Sequence, residues 1–157
     1  AIAMVDVDHL KQINDQYGYS VGNQVLQNVA AKITNLSANG EAFCYSGGKF
    51  TVLFRGKSVA DALPHLEAFR KAVETSPFTL RDRGRPLKKP DTPAADSSSR
   101  KELSVTISIG VAVKQGALRT PNDLVAASDA ALYEAKHTGR NRVVLSGAVR
   151  ARAAAAG

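Results

Sequence analysis

Two aspartates stand where the first apolar segment of the chain gives way to an amphipathic one. Residues 2–7 read as a buried strand, in which Asp6 is next to last and which Asp8 directly follows. Lys11 and Asn14 come next on a predicted helix. Ligands of α/β proteins bind beyond strand ends, and a carboxylate there can hold Mg²⁺ together with phosphate oxygens. A simpler interpretation makes Asp8 the helix N-cap and Asp6 an exposed charge. Taken alone, this segment favours the simpler interpretation.

A second candidate site lies near the end of the last predicted helix. Lys136 and Arg140 are four residues apart, and Tyr133 precedes Lys136 by three. Two such cations can clamp a polyphosphate. They can equally form a solvated face that complements the negative end of the helix dipole. Taken alone, this segment favours the solvated face.

A third segment, CYSGGKFTVLF at residues 44–54, predicts a β-hairpin with Ser46-Gly47-Gly48-Lys49 as its turn. Two-residue hairpin turns favour Asn-Gly or Asp-Gly, whereas this tip holds two glycines and a lysine and no acidic residue. The turn is either purely structural or an active-site loop that has lost its acidic residues.

The composition is that of one globular domain. The 157 residues are 44% hydrophobic and 22% charged, and a chain of this length buries a core without disulfides. The single cysteine, Cys44, fits a reducing cytoplasm. No apolar run approaches the roughly 20 residues that cross a bilayer, so we expect no membrane contact by this domain.

The net charge of +7 favours anionic partners, but the charge is unevenly distributed. The stretch Arg81–Lys101 holds seven Lys and Arg against three Asp, with three prolines and a triple serine, which is typical of a flexible loop. This loop lacks the aromatic residues on which single-stranded nucleic acids stack. We therefore expect no nucleic-acid partner.

Hydrophobic periodicity predicts the element order β-α-α-β-β-α-β-β-α-β. Gly18 ends the first helix, Ser58 caps the third, and Thr120-Pro121 opens the last. The second helix carries apolar residues at helical spacing, namely Val25, Leu26, Val29, Ile33 and Leu36. Strand hairpins mixed with helices predict an α+β fold with a central, mostly antiparallel sheet flanked by helices.

Four segments, in this order, resemble the signature segments of the GGDEF family of diguanylate cyclase domains. They are DVDHLKQINDQYGYSVGNQVL, CYSGGKFTVLF, SVTISIGVA and ASDAALYEAKHTGRNRV. The resemblance implies a nucleotide-cyclase or polymerase-palm-like domain over residues 1–147, followed by a tail over 148–157. The family's opening helix is missing, so we expect a domain truncated at its N-terminus and drawn from a longer bacterial signalling protein.

Active members of the family condense two GTP molecules into cyclic di-GMP, with one GTP on each of two facing domains. The resemblance therefore implies GTP or cyclic di-GMP as ligand, Mg²⁺ as cofactor, and the prospect of a homodimer. It matches Asp6 and the backbone carbonyl of Val7 to the metal site, Lys11 to a phosphate contact, and Lys136 with Arg140 to the terminal phosphates.

The hairpin departs from the family pattern. The family reads Arg-Tyr-Gly-Gly-Asp/Glu-Glu-Phe at residues 44–50, so Gly48 and Lys49 stand where two acidic residues are expected. Two-metal phosphoryl transfer needs carboxylates, and losing several kcal/mol of stabilisation costs roughly a thousandfold in rate or more. Lys49 would also repel Mg²⁺. We expect weakened Mg²⁺ binding and no catalytic residues at these two positions.

The resemblance also places Gly47 and Asn14 at the nucleotide, Asn14 reading the guanine edge. Asn23 stands where the family has an aspartate that accepts two guanine N–H groups, and an amide offers one acceptor only. An unpaired polar group costs about 1–3 kcal/mol. The family's inhibitory Arg-x-x-Asp falls on residues 37–40, Ser-Ala-Asn-Gly, and is absent.

Three functions remain open from the sequence. The first is a degenerate domain that retains a guanine-nucleotide pocket, with Lys49 replacing a metal cation against phosphate, and acts as a regulatory module. The second is a protein–protein interaction or dimerisation module with a vestigial pocket. The third is a weakly active cyclase, which rests on Asp6 alone.

Overall fold

The computed structural model describes residues 1–34, 40–79, 102–116 and 118–147. The predicted flexible loop Arg81–Lys101, the tail 148–157 and positions 37–39 of the inhibitory motif lie outside the described residues. The elements, in chain order, are β1 (Ile2–Val7), α1 (Leu10–Tyr17), α2 (Tyr19–Thr34), β2 (Gly40–Ser46), β3 (Lys49–Phe54), α3 (Val59–Glu74), β4 (Phe78–Thr79), β5 (Glu102–Leu103), β6 (Ile107–Ala112), α4 (Pro121–His137) and β7 (Val143–Leu145). This order matches the prediction except in one place: three strands, β4, β5 and β6, lie between α3 and α4, where two were predicted.

Five strands form one sheet in the order β2-β3-β1-β6-β7. The pairs β2–β3, β3–β1 and β1–β6 are antiparallel, and only β6–β7 among these pairs is parallel. The short strands β4 and β5 pair separately. A mostly antiparallel sheet with helices packed on it confirms the predicted α+β class.

The helices cover both faces of the sheet. The apolar stripes of α2 and α3 form one buried cluster with alternate residues of β1 and β3, including Val5 and Val52. Helix α4 contacts β6, β1 and β7 from the other side, where Met4 and Leu132 are buried outside that cluster. The alternation of β1 therefore sends Val5 and Val7 to one layer and Met4 and Asp6 to the other.

The topology gathers several chain ends at one edge of the sheet. Strand β1 ends there, and β3, β6 and β7 begin there, because β1 is antiparallel to β3 and β6 while β7 is parallel to β6. Helix α1 starts and α4 ends beside the same edge, since they adjoin β1 and β7 in the chain. We call it the upper edge, defined by Val7, Lys49, Ile107 and Val143.

The helix starts differ in how their N–H groups are satisfied. Ser58 with Asp61, and Thr120 with Asp123, form complete capping boxes at α3 and α4, as the sequence predicted for the two caps. Helix α1 follows His9, which has φ 57° and gives no side-chain cap. The start of α1 at the upper edge therefore keeps backbone donors that the His9 side chain does not cap.

Candidate functional site

The hairpin tip has glycine turn geometry, and two leucine side chains crowd Gly48, the first of the two positions where the family has an acidic residue. Gly47 and Gly48 have φ values of 53° and 96°, in the region that favours glycine. Gly48 is buried, and a Cβ there would lie 2.7 Å from Leu10 Cδ2 and 3.4 Å from Leu26 Cδ2. The space at the third signature position is therefore taken by leucine side chains, whose tips must shift to admit a carboxylate.

Lys49, the next residue, makes a specific ion pair. Its Nζ donates to Asp129 Oδ1 on α4 at 2.8 Å, and it is the cross-strand partner of Asp6. The hydrogen bond with Asp129, followed by the attraction of Asp129 and Asp6, raises the pKa of Lys49 despite its partial burial. Lys49 therefore carries a fixed positive charge beside the predicted metal-binding carboxylate.

Asp6 is not the exposed strand-end charge of the simpler interpretation, which is wrong. Its side chain is 16% exposed, and its Oδ2 lies 2.6 Å from Lys136 Nζ. The cause is the alternation of β1, which turns Asp6 toward the layer occupied by α4. The structure thus brings together two candidates that lie far apart in sequence, Asp6 and Lys136.

Four charged side chains form an ion-pair cluster at the upper edge: Asp6, Lys49, Asp129 and Lys136. Their formal charges cancel. The residues do not fit Mg²⁺, because Asp6 already faces one ammonium group and lies across from a second, and like charges repel. Among the described residues there is no group of three or more His, Cys, Asp or Glu side chains arranged to hold a metal ion.

Asp8 is not the N-cap of α1, and this part of the simpler interpretation is also wrong. It is 2% exposed and accepts hydrogen bonds from Thr106 Oγ1 at 2.8 Å, Ser108 Oγ at 2.7 Å and the Asn141 backbone N–H at 3.1 Å. Its side chain therefore points toward the start of β6 and the α4–β7 turn, where these donors lie. Asp8 therefore belongs to the interior of the upper edge.

Lys11 and Arg140 are two further cations in segments that meet the upper edge. Lys11 lies in the first turn of α1 and Arg140 in the α4–β7 turn, and both are exposed. Neither side chain has an ion pair within 4 Å among the described residues. Together with the uncapped start of α1, they leave the positive groups at the upper edge in excess, an arrangement that attracts phosphate.

The guanine-reading candidates lie on α1 and α2. The Oδ1 of Asn14 packs against Gly22, where a Cβ would lie only 1.8 Å away. Any other residue at Gly22 would displace Asn14, so the two helices approach closely at this point. Asn23 follows Gly22 and is exposed. Both amides therefore border the α1–α2 junction, one fixed by packing and one open to solvent.

Tyr133 lies apart from this chemistry. It is exposed, and its ring stacks on His137 with the centroids 3.9 Å apart. The Nδ1 of His137 is also 2.8 Å from the Tyr133 carbonyl oxygen. Tyr133 and His137 therefore belong to the solvated side of α4.

Sequence reasoning missed Asp129 and Asn141. A signal for Asp129 was present, because it lies two helical turns before Lys136 and so on the same face of α4. Its pairing with Lys49, 80 residues earlier, had no sequence signal. The role of Asn141 depends on its backbone conformation, with a φ of 45°, which the sequence did not predict.

The family model described as "Diguanylate cyclase, GGDEF domain" matches residues 1–142. The chain belongs to this family. It is 35% identical over 142 residues to the response regulator PleD of Caulobacter vibrioides, covering 90% of this chain and 28% of PleD. This GGDEF domain thus spans little more than a quarter of that relative's length.

Solved structures agree with the family. The GGDEF domain of DgcB from Caulobacter crescentus, in complex with c-di-GMP, matches at a TM-score of 0.73 and 30% identity over 92% of this chain and 75% of that one. The diguanylate cyclase SiaD of Pseudomonas aeruginosa, in complex with its activator SiaC, matches at a TM-score of 0.73 and 31% identity over 92% and 49%. No helix within the described ranges has the length and apolar character to cross a membrane.

Proposed function

We propose that this GGDEF domain is a regulatory module of a longer cytoplasmic signalling protein, which binds a guanine nucleotide, GTP or cyclic di-GMP, without condensing GTP. One observation carries the proposal: the Lys49 ammonium group lies across from Asp6 and is held there by Asp129 at 2.8 Å. The family places a metal-binding acid in this hairpin, and this chain places a cation there instead.

The charges support phosphate binding without a metal. A phosphate group approaching the upper edge meets Lys49, Lys136, Lys11 and Arg140, of which the last two have no ion pair to break with a described residue. Charge-assisted hydrogen bonds to ionised groups contribute about 1.5–3 kcal/mol each. The phosphate competes with Asp129 and Asp6 for the two lysines, so we expect modest affinity.

The base contacts support a weakened preference for guanine. Asn14 is fixed against Gly22, whereas Asn23 presents one donor group and one acceptor in place of a carboxylate. The DgcB domain binds c-di-GMP in its crystal structure, and this chain has the same fold. Phosphate contacts are therefore expected to contribute more of the affinity than base contacts do.

Calorimetry with GTP, GDP and cyclic di-GMP, up to millimolar ligand, tests the proposal. We expect binding that salt weakens, because exposed Lys and Arg hold the phosphates. The double variant Lys136→Ala and Arg140→Ala should lose at least roughly tenfold in affinity, while Arg119→Ala, an exposed cation before α4, should not. Absence of binding by the parent domain would contradict the proposal.

A second function is favoured by a different surface. Strand β2 is an edge strand, and its Phe43 and Tyr45 side chains are 52% and 57% exposed. Exposed aromatic residues on an edge strand are typical of interaction sites, and SiaD is known in complex with an activator protein. If no nucleotide binds, this interaction or dimerisation role takes the place of the nucleotide module, and the oligomeric state is the measurement to make.

A further inference from the structure

The α4–β7 turn, residues 139–142, has an unusual backbone. Gly139, Arg140 and Asn141 have φ values of 120°, 58° and 45°. Positive φ is disfavoured for residues with a Cβ atom, and it persists only where the surroundings fix it. Two consecutive residues of this kind in an exposed turn therefore need an identifiable support.

Asp8 provides the first support. Its Oδ2 accepts from the Asn141 backbone N–H at 3.1 Å, while the hydroxyls of Thr106 and Ser108 hold the carboxylate in place at 2.8 and 2.7 Å. A buried carboxylate must be hydrogen-bonded to be tolerated, so its orientation is fixed. The turn is thereby tied to the end of β1 and the start of β6.

Helix α3 provides the second support through the Asn141 side chain. Arg70 Nη1 donates to Asn141 Oδ1 at 2.7 Å, and Asn141 Nδ2 donates to Glu74 Oε1 at 2.7 Å. Arg70 is 12% exposed and also donates to Glu74 at 2.8 Å, so the three side chains form a closed ring. The hydrogen bond from Asn141, then that from Arg70, lowers the pKa of Glu74.

We propose that Asp8 and Asn141 are positioning residues, which hold Arg140 at the upper edge where Lys136 and Asp6 lie, and that Arg70 and Glu74 extend this support to α3. The inference deepens the proposed function, on which it rests, because Arg140 acts there as a phosphate ligand. Loss of the support lets the turn relax and displaces the guanidinium group without removing it. Asp8 thus acts on the ligand through Arg140.

A double-mutant cycle tests this role with GTP as the probe. Asn141→Gly removes the side-chain ring yet tolerates positive φ, so the chain should fold. We expect it to weaken GTP binding roughly five- to tenfold when Arg140 is present and less than about twofold in the Arg140→Ala chain. Equal losses in both backgrounds would overturn the proposal, since a merely structural role is independent of Arg140.

A rescue and a control accompany the cycle. Asn141→Asp together with Glu74→Gln reverses the direction of one hydrogen bond and keeps the ring, so it should restore binding to within about twofold. Glu67→Gln removes an Arg70 partner that does not contact Asn141, and it should leave GTP affinity unchanged. If this double variant folds but does not regain GTP affinity, the ring of hydrogen bonds does not position Arg140.

Amide hydrogen exchange separates this inference from the proposed function. In the ligand-free domain, Asn141→Gly should speed exchange of the amides of residues 139–142 at least roughly tenfold, because the support is lost. If the parent binds no GTP, the proposed function fails and exchange alone decides whether Asn141 holds the turn. Unchanged exchange would overturn the positioning role.

Discussion

Two regions at the upper edge of the sheet differ in how they depart from the family. In the hairpin tip, Gly48 and Lys49 stand where the resemblance to the family predicts acidic residues, and Lys49 is paired with Asp129 at 2.8 Å. The α4–β7 turn keeps Arg140 and is held by a buried aspartate and a ring of side chains. The difference predicts that metal binding and phosphate binding are separable in this domain, because the side chains that hold the α4–β7 turn do not belong to the hairpin.

The largest effect expected from this comparison is on catalysis. The domain should form no cyclic di-GMP from GTP with Mg²⁺ or Mn²⁺, at least roughly a thousandfold below a relative with an acidic hairpin. The reason is that Gly48 and Lys49 offer no carboxylate to a metal ion. Product analysis by chromatography is the measurement, and ready turnover at low enzyme concentration would show that the hairpin is still catalytic.

The charge of Lys49 should have the next largest effect. Lys49→Glu places an acidic side chain beside Asp6 and Asp129, so GTP binding without Mg²⁺ should weaken roughly tenfold or more. Lys49→Gln removes the charge without reversing it and should weaken binding less. Calorimetry of both variants gives the comparison, and equal affinities for parent and Lys49→Glu would mean that the hairpin tip does not contact the ligand.

Asp129→Asn should act in the opposite direction. Removal of the carboxylate releases Lys49 for phosphate, so GTP affinity should rise roughly threefold, while unfolding free energy changes by less than about 1 kcal/mol because the pair is half exposed. Calorimetry and thermal melting measure the two quantities. A loss of GTP affinity in a folded Asp129→Asn chain would show that Asp129 orients Lys49 rather than competing for it.

The folding stability contributed by the two regions should change at opposite ends of the pH scale. The pKa of Glu74 is lowered from 4.5, so its contribution to stability is present above that value and is lost as pH falls. The pKa of Lys49 is raised from 10.5, so its contribution is present below that value and is lost as pH rises. Melting curves should show Glu74→Gln converging with the parent in acid and Lys49→Gln converging in alkali.

Much of the fold was predictable because local signals and the final packing agree. The periodicity of α2 and the caps Ser58 and Thr120 are local features, and the structure confirms them. The simpler interpretation of Asp6 and Asp8 was wrong because their partners lie far away in sequence, Lys136 on α4 for Asp6 and Ser108 on β6 for Asp8. Local reasoning finds a cap within four residues, but it has no access to a partner brought in by the sheet.

The candidate site shows the same limit. The resemblance supplied Lys11, Asn14, Lys136 and Arg140. The structure places the first three on α1 and α4 and Arg140 in the α4–β7 turn, beside the upper edge or the α1–α2 junction. The resemblance gave no partner for Lys49, because the family has an acidic residue at that position. Only the structure shows that Asp129 is the counter-ion of Lys49.

If lysine charge replaces metal charge at this site, as we propose, nucleotide binding should depend little on Mg²⁺. The affinity for GTP is measured by calorimetry in excess Mg²⁺ and again with the metal chelated. We expect two dissociation constants within about threefold of each other, because Lys49 and Lys136 already supply the positive charge. A tenfold or greater loss of affinity on chelation, with the domain still folded, would contradict it.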